Sequence, residues 1–205
     1  MSKFRQNLCV TAIALALISI SLQGDGQKAW EKPNPEDKAD LLAIQERLRE
    51  LIPETSKAVV SLEDGGGAGS GVIVSEDGLI LTAAHVIAKR GRRMTARLPD
   101  GKRVHVITLG GSEISDAGMA RITEEGIWPY APMAEKGSSK VGDWCFALGH
   151  PGGFDEERGI VTRIGRVISK EGETMQTDSR LLGGDSGGPL FDFDGRVIGI
   201  HSRIA

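Results

Sequence analysis

Gly183-Gly184-Asp185-Ser186-Gly187-Gly188-Pro189-Leu190 is the stretch on which the reading of this chain turns. Glycine serves where backbone turns sharply or must approach another group closely. Packed around one serine, glycines free consecutive N–H groups to point at a single spot beside the hydroxyl. A nucleophile with an oxyanion hole needs such donors, placed where negative charge develops. The plain alternative is a Gly-rich hairpin loop with an incidental serine, and the specificity of the octapeptide argues against it. An apolar strand follows, LFDFDGRVIGI, Leu190 to Ile200.

Working back toward the N-terminus, the texture from Ala58 onward is one of short apolar runs. AVVSL, GSGVIVS, GLILTAAHVI, RMTARL, RVHVITLG, AGMARI, DWCFALG, GIVTRIGRVIS, TMQTD and RVIGIHSRI are separated by Gly- and Asp-rich turns. Strand-length pieces at that spacing predict an all-β sandwich or barrel. AAHVI, after Thr82, allows a one-turn helix. Before Ala58 the pattern is different. Residues 25–57 read as a linker followed by one amphipathic helix, starting at Asn34-Pro35-Glu36-Asp37 and ending at Pro53. Its stripe is Leu41, Ile44, Leu48, Leu51 and Ile52, and it is expected to pack on the domain or on another subunit. The remainder, residues 58–205, reads as one domain.

The first 24 residues have the form of an export signal: Lys3 and Arg5 precede an uncharged, mostly apolar run from Leu8 to Leu22. That run is short for a membrane span, which takes about 20 residues. The expectation is an exported protein, periplasmic or secreted, with no stable span once the signal is removed. The alternative is a chain anchored by an uncleaved signal. The chain has 205 residues, 40% of them hydrophobic and 26% charged, with 28 glycines, 4% aromatics and a net charge of −3. Nothing in that balance calls for a nucleic-acid partner or an anionic membrane surface. Of the two cysteines, Cys9 falls in the signal and Cys145 in the apolar stretch WCFALGHP. Cys145 therefore reads as a buried core thiol, and no disulfide, metal site or cofactor is expected.

Two further residues complement the serine. His85, in LTAAHVI, follows a buried-looking strand, and an imidazole titrates near working pH as a general base must. Asp116, in SDAGMARI, heads a short strand, where a carboxylate can orient an imidazole. Taken alone, each has an ordinary structural explanation. His105, His150 and His201 keep that explanation. The order His85, Asp116, Ser186, with GSG before the histidine strand and GDSGGP around the serine, raises the catalytic reading above it.

On these motifs, GSGVIVSEDGLILTAAHVI (Gly69–Ile87), Asp116 and GGDSGGPLFDFDGRVIGI (Gly183–Ile200), the chain resembles the trypsin-like (chymotrypsin-fold) serine proteases, and among them the HtrA/Deg branch. The resemblance implies two packed six-stranded β-barrels with the site between them. His85 and Asp116 would stand on the first barrel and Ser186 on the second. It further implies that Ser186 is the nucleophile, His85 the base and Asp116 the orienting acid, with the Gly184 and Ser186 N–H groups as the oxyanion hole. Protein or peptide substrates follow, as does a homo-oligomer as one form of the protein. The alternative in a different class is a catalytically inactive binding protein on the same fold.

The chain departs from the family pattern in four places. Asp185 stands where HtrA-like enzymes usually carry asparagine. A buried carboxylate needs a cation, and Arg180 or another nearby base is expected to supply it. Ala117-Gly118-Met119 replaces the aliphatic residues usual after the aspartate, which keeps Asp100 and Asp143 as weaker candidates for the acid. A strand through IHSRIA is expected to wall the substrate pocket, but the second barrel would lack its last strand. Pocket residues are then Arg180, Leu181 and Leu182, with Ser202 and Ile204 on that strand. Arg180, at the place of the acidic selector of trypsin-like enzymes that cut after basic residues, argues for an aliphatic or small residue before the scissile bond.

Overall fold

β1 (Val59–Glu63) and β2 (Ala68–Ile73) form the first hairpin in a computed structural model that describes residues 27–202. Val59, Val60, Val72 and Ile73 are fully buried, as β-branched residues facing a core should be. Asp64 closes the turn by accepting from the Gly66 and Gly67 amides, each at 2.9 Å. β3 (Leu79–Ala83), β4 (Arg93–Arg97), β5 (Arg103–Ser112) and β6 (Ala117–Ile122) complete a closed barrel in the order β1-β2-β3-β6-β5-β4. Alternation sets its interior: Met94 and Ala96, Val104 and Val106, and Ala120 and Ile122 point inward, next to more exposed residues such as Arg93, Thr95, His105 and Arg121. Between β3 and β4 lies the one-turn helix α2 (Ala84–Ile87).

The second half is β7 (Trp144–Gly149), β8 (Val161–Glu171), β9 (Thr174–Thr177), β10 (Pro189–Phe191) and β11 (Val197–Ile200). They form a five-stranded antiparallel sheet in the order β11-β10-β7-β8-β9, open among the described residues. A closed six-stranded barrel beside an incomplete second one is the all-β architecture expected. One boundary differs. β11 ends at Ile200 instead of running through IHSRIA, and the backbone of His201 turns to the serine loop: its carbonyl accepts from Gly187 N at 2.6 Å and its N–H donates to Gly188 O at 2.9 Å. Ile204 and the apolar signal expected over residues 1–24 lie outside the described residues.

The helix α1 covers Lys38–Ser56, so both of its ends differ from the expectation. Its cap is Asp37, whose side chain accepts from Asp40 N at 2.9 Å; Asn34 and Pro35 lie before it. Pro53 falls inside the helix, where it removes one backbone hydrogen bond. The turn beyond it persists because it is anchored: Leu51 and Thr55 are buried, and the Thr55 hydroxyl donates to Leu51 O at 2.9 Å. Ile44 and Leu51 face the core, whereas Leu41 is exposed. The helix docks on its own chain through Arg47, whose Nε donates to Phe193 O at 2.9 Å, and through Leu51 against the turn at Gly195. Trp30, just before it, stacks on Phe193 with ring centroids 6.0 Å apart.

Candidate active site

His85 sits on the first barrel because three small residues let α2 come down onto the sheet. A Cβ added to Gly118 would stand 2.7 Å from Ile87 Cδ1 and 3.1 Å from Ala84 Cα, and one added to Gly111 would stand 3.0 Å from Ala84 Cβ. The departure at Ala117-Gly118-Met119 thus has a steric reason. Gly118 is the floor on which the histidine's helix rests.

Asp116, in the turn before β6, has φ of 51°, a left-handed conformation that aspartate tolerates better than most residues. Held there, its backbone carbonyl accepts from Ala84 N at 2.9 Å and its Oδ1 from His85 N at 3.0 Å. Oδ2 lies 2.8 Å from His85 Nδ1 and accepts from Ser202 Oγ at 2.7 Å. Asp116 is 7% exposed. Burial by itself pushes its carboxyl upward, but the hydrogen bonds from Ser202, the His85 amide and the His85 ring outweigh it and hold the pKa below the ordinary carboxylate value. The carboxylate stays ionised, so the imidazole keeps a proton on Nδ1 and presents Nε2 as an acceptor. Half of the His85 side chain is open to solvent. A cleft of about 450 Å³ lies beside it, lined by Ala84, His85, Gly111, Glu113, Asp116 and Ser202. Asp100 and Asp143 are elsewhere: their carboxylates close local turns on Lys102 N and Lys140 N.

Ser186 reaches the same region from the second sheet. Its carbonyl accepts from Ser70 N at 2.8 Å, and that carbonyl and Val86, next to His85, both press on Gly69. The following residue, Gly187, has φ of 82° and packs so closely on Ala83 that an added Cβ would stand 2.8 Å from the Ala83 nitrogen. The two glycine-rich motifs therefore clamp one another across the barrels. Among the described residues no hydrogen bond joins Ser186 Oγ to the His85 ring; Gly69, between the Val86 side chain and the Ser186 carbonyl, links the two loops.

The serine loop is wound tightly. Asp185 N donates to Leu182 O at 3.0 Å, Gly188 N to Asp185 O at 2.8 Å and Gly152 N to Gly183 O at 2.7 Å. Gly184 has φ of 97°, and a Cβ there would stand 2.5 Å from Gly152 N. Ser70 Oγ ties the loop to the first barrel, donating to Gly184 O at 2.8 Å and accepting from His150 N at 2.9 Å. The Gly184 and Ser186 N–H groups make no hydrogen bond among the described residues. Two free donors flanking a serine suit an oxyanion better than a neutral carbonyl.

The cation expected for Asp185 is not Arg180, which is exposed on the loop after β9. It is Arg163 of β8, whose Nη1 lies 3.0 Å from Asp185 Oδ2. β8 pairs with β7 through Ala147 and Arg163, and this register aims the guanidinium at the serine loop. Nothing in the sequence separated Arg163 from Arg158, Arg166 or Arg180. Leu181 is half-buried and Leu182 exposed, in the loop that bears the serine. Ser202, expected on the pocket wall, lines the cleft beside His85 and donates a hydrogen bond to Asp116. The signal for that role was its place two residues beyond β11, which sequence spacing alone does not translate into a contact.

The other titratable groups take structural places. Cys145 is fully buried, and burial, with Asp178 and Asp143 nearby, pushes its thiol up to about 12. His150 and His201 are buried, and desolvation drives each down to about 4, with a further push from Arg158 and Arg163 respectively. His105 is exposed on β5 beside Glu124 at 2.9 Å. Among the described residues no group of three or more His, Cys, Asp or Glu could hold a metal ion.

Residues 69–200 match the family described as the trypsin-like peptidase domain. A probable periplasmic serine endoprotease, DegP-like, of Pseudomonas fulva is 32% identical over 206 residues, covering 95% of this chain and 43% of its own length. The putative serine protease HhoA of Synechocystis is 36% identical over 147 residues, covering 67% of this chain and 37% of its own. The crystal structure of Deg5 superposes with a TM-score of 0.67 at 29% identity, covering 78% of this chain and 86% of that one. The chain thus spans about two-fifths of the length of the curated relatives it matches.

Proposed function

Because the chain belongs to the trypsin-like peptidase family, in its HtrA/Deg branch, we propose that it is an exported serine endopeptidase acting through Ser186, His85 and Asp116. The observation that carries this reading is the doubly fixed histidine: Asp116 holds both the backbone amide and Nδ1 of His85, leaving Nε2 free at the cleft. In the first step Ser186 Oγ attacks the scissile carbonyl carbon while His85 Nε2 takes the hydroxyl proton. The carbonyl oxygen becomes an oxyanion, for which the Gly184 and Ser186 N–H groups are the available donors. Collapse breaks the C–N bond, and His85 gives its proton to the leaving amine. Water then attacks the acyl-enzyme by the same route, returning a carboxylic acid and free Ser186. Asp116 stays ionised throughout and stabilises the imidazolium.

The substrates on this reading are polypeptides, including unfolded or damaged proteins of the envelope. Export rests on the apolar N-terminal run and on the periplasmic naming of the DegP-like relatives. No helix among the described residues is long and apolar enough to cross a membrane. The test is digestion of a reduced, unfolded protein beside its folded form, with fragments mapped by mass spectrometry. The reading predicts internal cleavage that disappears in Ser186→Ala. Cleavage that survives this substitution would assign the reaction to another group.

A further inference from the structure

We propose that Arg163 is the positioning residue of the oxyanion loop, holding the Gly184 and Ser186 amides in place through the carboxylate of Asp185. The inference rests on the reading of Ser186 as nucleophile, and adds to it a residue from a strand that carries none of the triad.

Asp185 is 1% exposed, and the Arg163 side chain is 15% exposed. The carboxylate is wedged against the end of β7: a Cβ on Gly149 would stand 2.6 Å from Oδ1, which has no hydrogen-bond partner. All of its compensation therefore falls on Oδ2, which accepts from Leu182 N at 2.8 Å and faces Arg163 Nη1 at 3.0 Å. A buried carboxylate without a counter-ion is strongly disfavoured. With Arg163 gone, Oδ2 would move toward water.

Any such movement displaces the oxyanion donors, because they belong to the residues on either side of Asp185. Its N–H and carbonyl are both committed within the loop, to Leu182 O and Gly188 N. Turning the side chain outward breaks this winding and re-aims the Gly184 and Ser186 N–H groups. Among the described residues, the neighbouring arginines are engaged elsewhere or exposed. Arg158 Nη2 donates to Gly153 O at 2.8 Å, Arg166 Nη1 to Gly142 O at 2.7 Å, and Arg180 is exposed. The cation comes from β8 of the same folded unit, so folding alone assembles the loop, with no cut in the chain needed to supply a partner for Asp185.

The test compares Arg163→Met, Asp185→Asn and the double variant with the full chain. Two quantities are read: peptide hydrolysis, and amide hydrogen exchange at Leu182, Asp185 and Gly188. Arg163→Met should lower kcat about a hundredfold, the scale of losing an oxyanion donor. KM should change by less than about threefold, and exchange across the loop should become faster. The double variant, in which a neutral amide replaces the stranded carboxylate, should recover at least about tenfold in kcat and regain slow exchange. A merely structural arginine predicts additive losses, with the double variant no better than Arg163→Met. That result, or an Arg163→Met chain with native kcat and native exchange, overturns the proposal. If no variant and not even the parent cleaves peptide, the reading of Ser186 fails, and the exchange pattern still decides the role of Arg163.

Discussion

Ser202 Oγ donates to Asp116 Oδ2 at 2.7 Å, tying the residue just beyond β11 to the acid of the first barrel. The two are 86 residues apart in the chain and belong to different halves of the fold. Asp116 thus has its Oδ2 satisfied from both sides of the cleft. A hydrogen bond to a charged group contributes about 1.5 kcal/mol or somewhat more, which is roughly tenfold in a rate if it acts only in the transition state. Ser202→Ala should therefore lower kcat/KM by about tenfold. Steady-state kinetics beside a thermal melt would separate this from a loss of folding.

Asp116→Asn should be far more damaging. The amide cannot both accept from the Ser202 hydroxyl and the His85 amide and hold Nδ1–H in the tautomer that leaves Nε2 basic. The expected loss is about 10⁴-fold in kcat, with little change in the melting temperature. Retention of more than about a tenth of the parental kcat would remove Asp116 from the reaction.

Gly184→Ala should separate the oxyanion loop from the rest of the fold. The added methyl meets Gly152 N and the His150 carbonyl, and φ of 97° is strained for alanine. The loop must shift to admit it, so kcat should fall about a hundredfold. Binding of a substrate peptide, measured by fluorescence anisotropy on the Ser186→Ala background, should weaken much less.

Acidification should destabilise the fold through His150 and His201. Both are driven down to about 4, by burial first and then by Arg158 and Arg163. The unfolded chain binds protons on these imidazoles near 6.5, whereas the folded chain does not until about 4. Their contribution is complete above pH 6.5 and is lost as the pH falls toward 4. Asp116, with its pKa lowered, loses its contribution only below the carboxylate range, outside this window. Urea unfolding at pH 7 and pH 5 should show a decrease of roughly 2 kcal/mol per imidazole. His201→Gln should flatten that dependence, and an equal slope in the variant would locate the effect elsewhere.

Much of this site is legible from residue types and order. Gly183–Leu190 gives the serine and its donors, and LTAAHVI gives the histidine. The strand-length texture from Ala58 gives the barrels. Asp116 is readable as the head of a strand, but the competing Asp100 and Asp143 fall away only when their carboxylates are seen to close local turns. What stays hidden depends on register and on contacts between distant strands. Arg163 faces Asp185 because β8 pairs with β7 at Ala147, and no local pattern records which of four arginines does so. Pro53 shows the complementary failure: the rule that proline ends a helix yields to a last turn anchored by Leu51 and Thr55. Gly118, which looked like a departure from pattern, is where α2 needs room.

The most direct measurement is labelling of the folded chain with a fluorophosphonate, followed by mass-spectrometric location of the adduct. This reagent forms a P–O bond at a serine, with its P–F bond breaking and fluoride leaving, only when a base takes the hydroxyl proton and donors receive the charge on the phosphonyl oxygen. The account predicts one adduct, on Ser186, absent in Ser186→Ala and strongly reduced in His85→Ala. A folded chain that takes up no label at Ser186, or labels equally without His85, would contradict it.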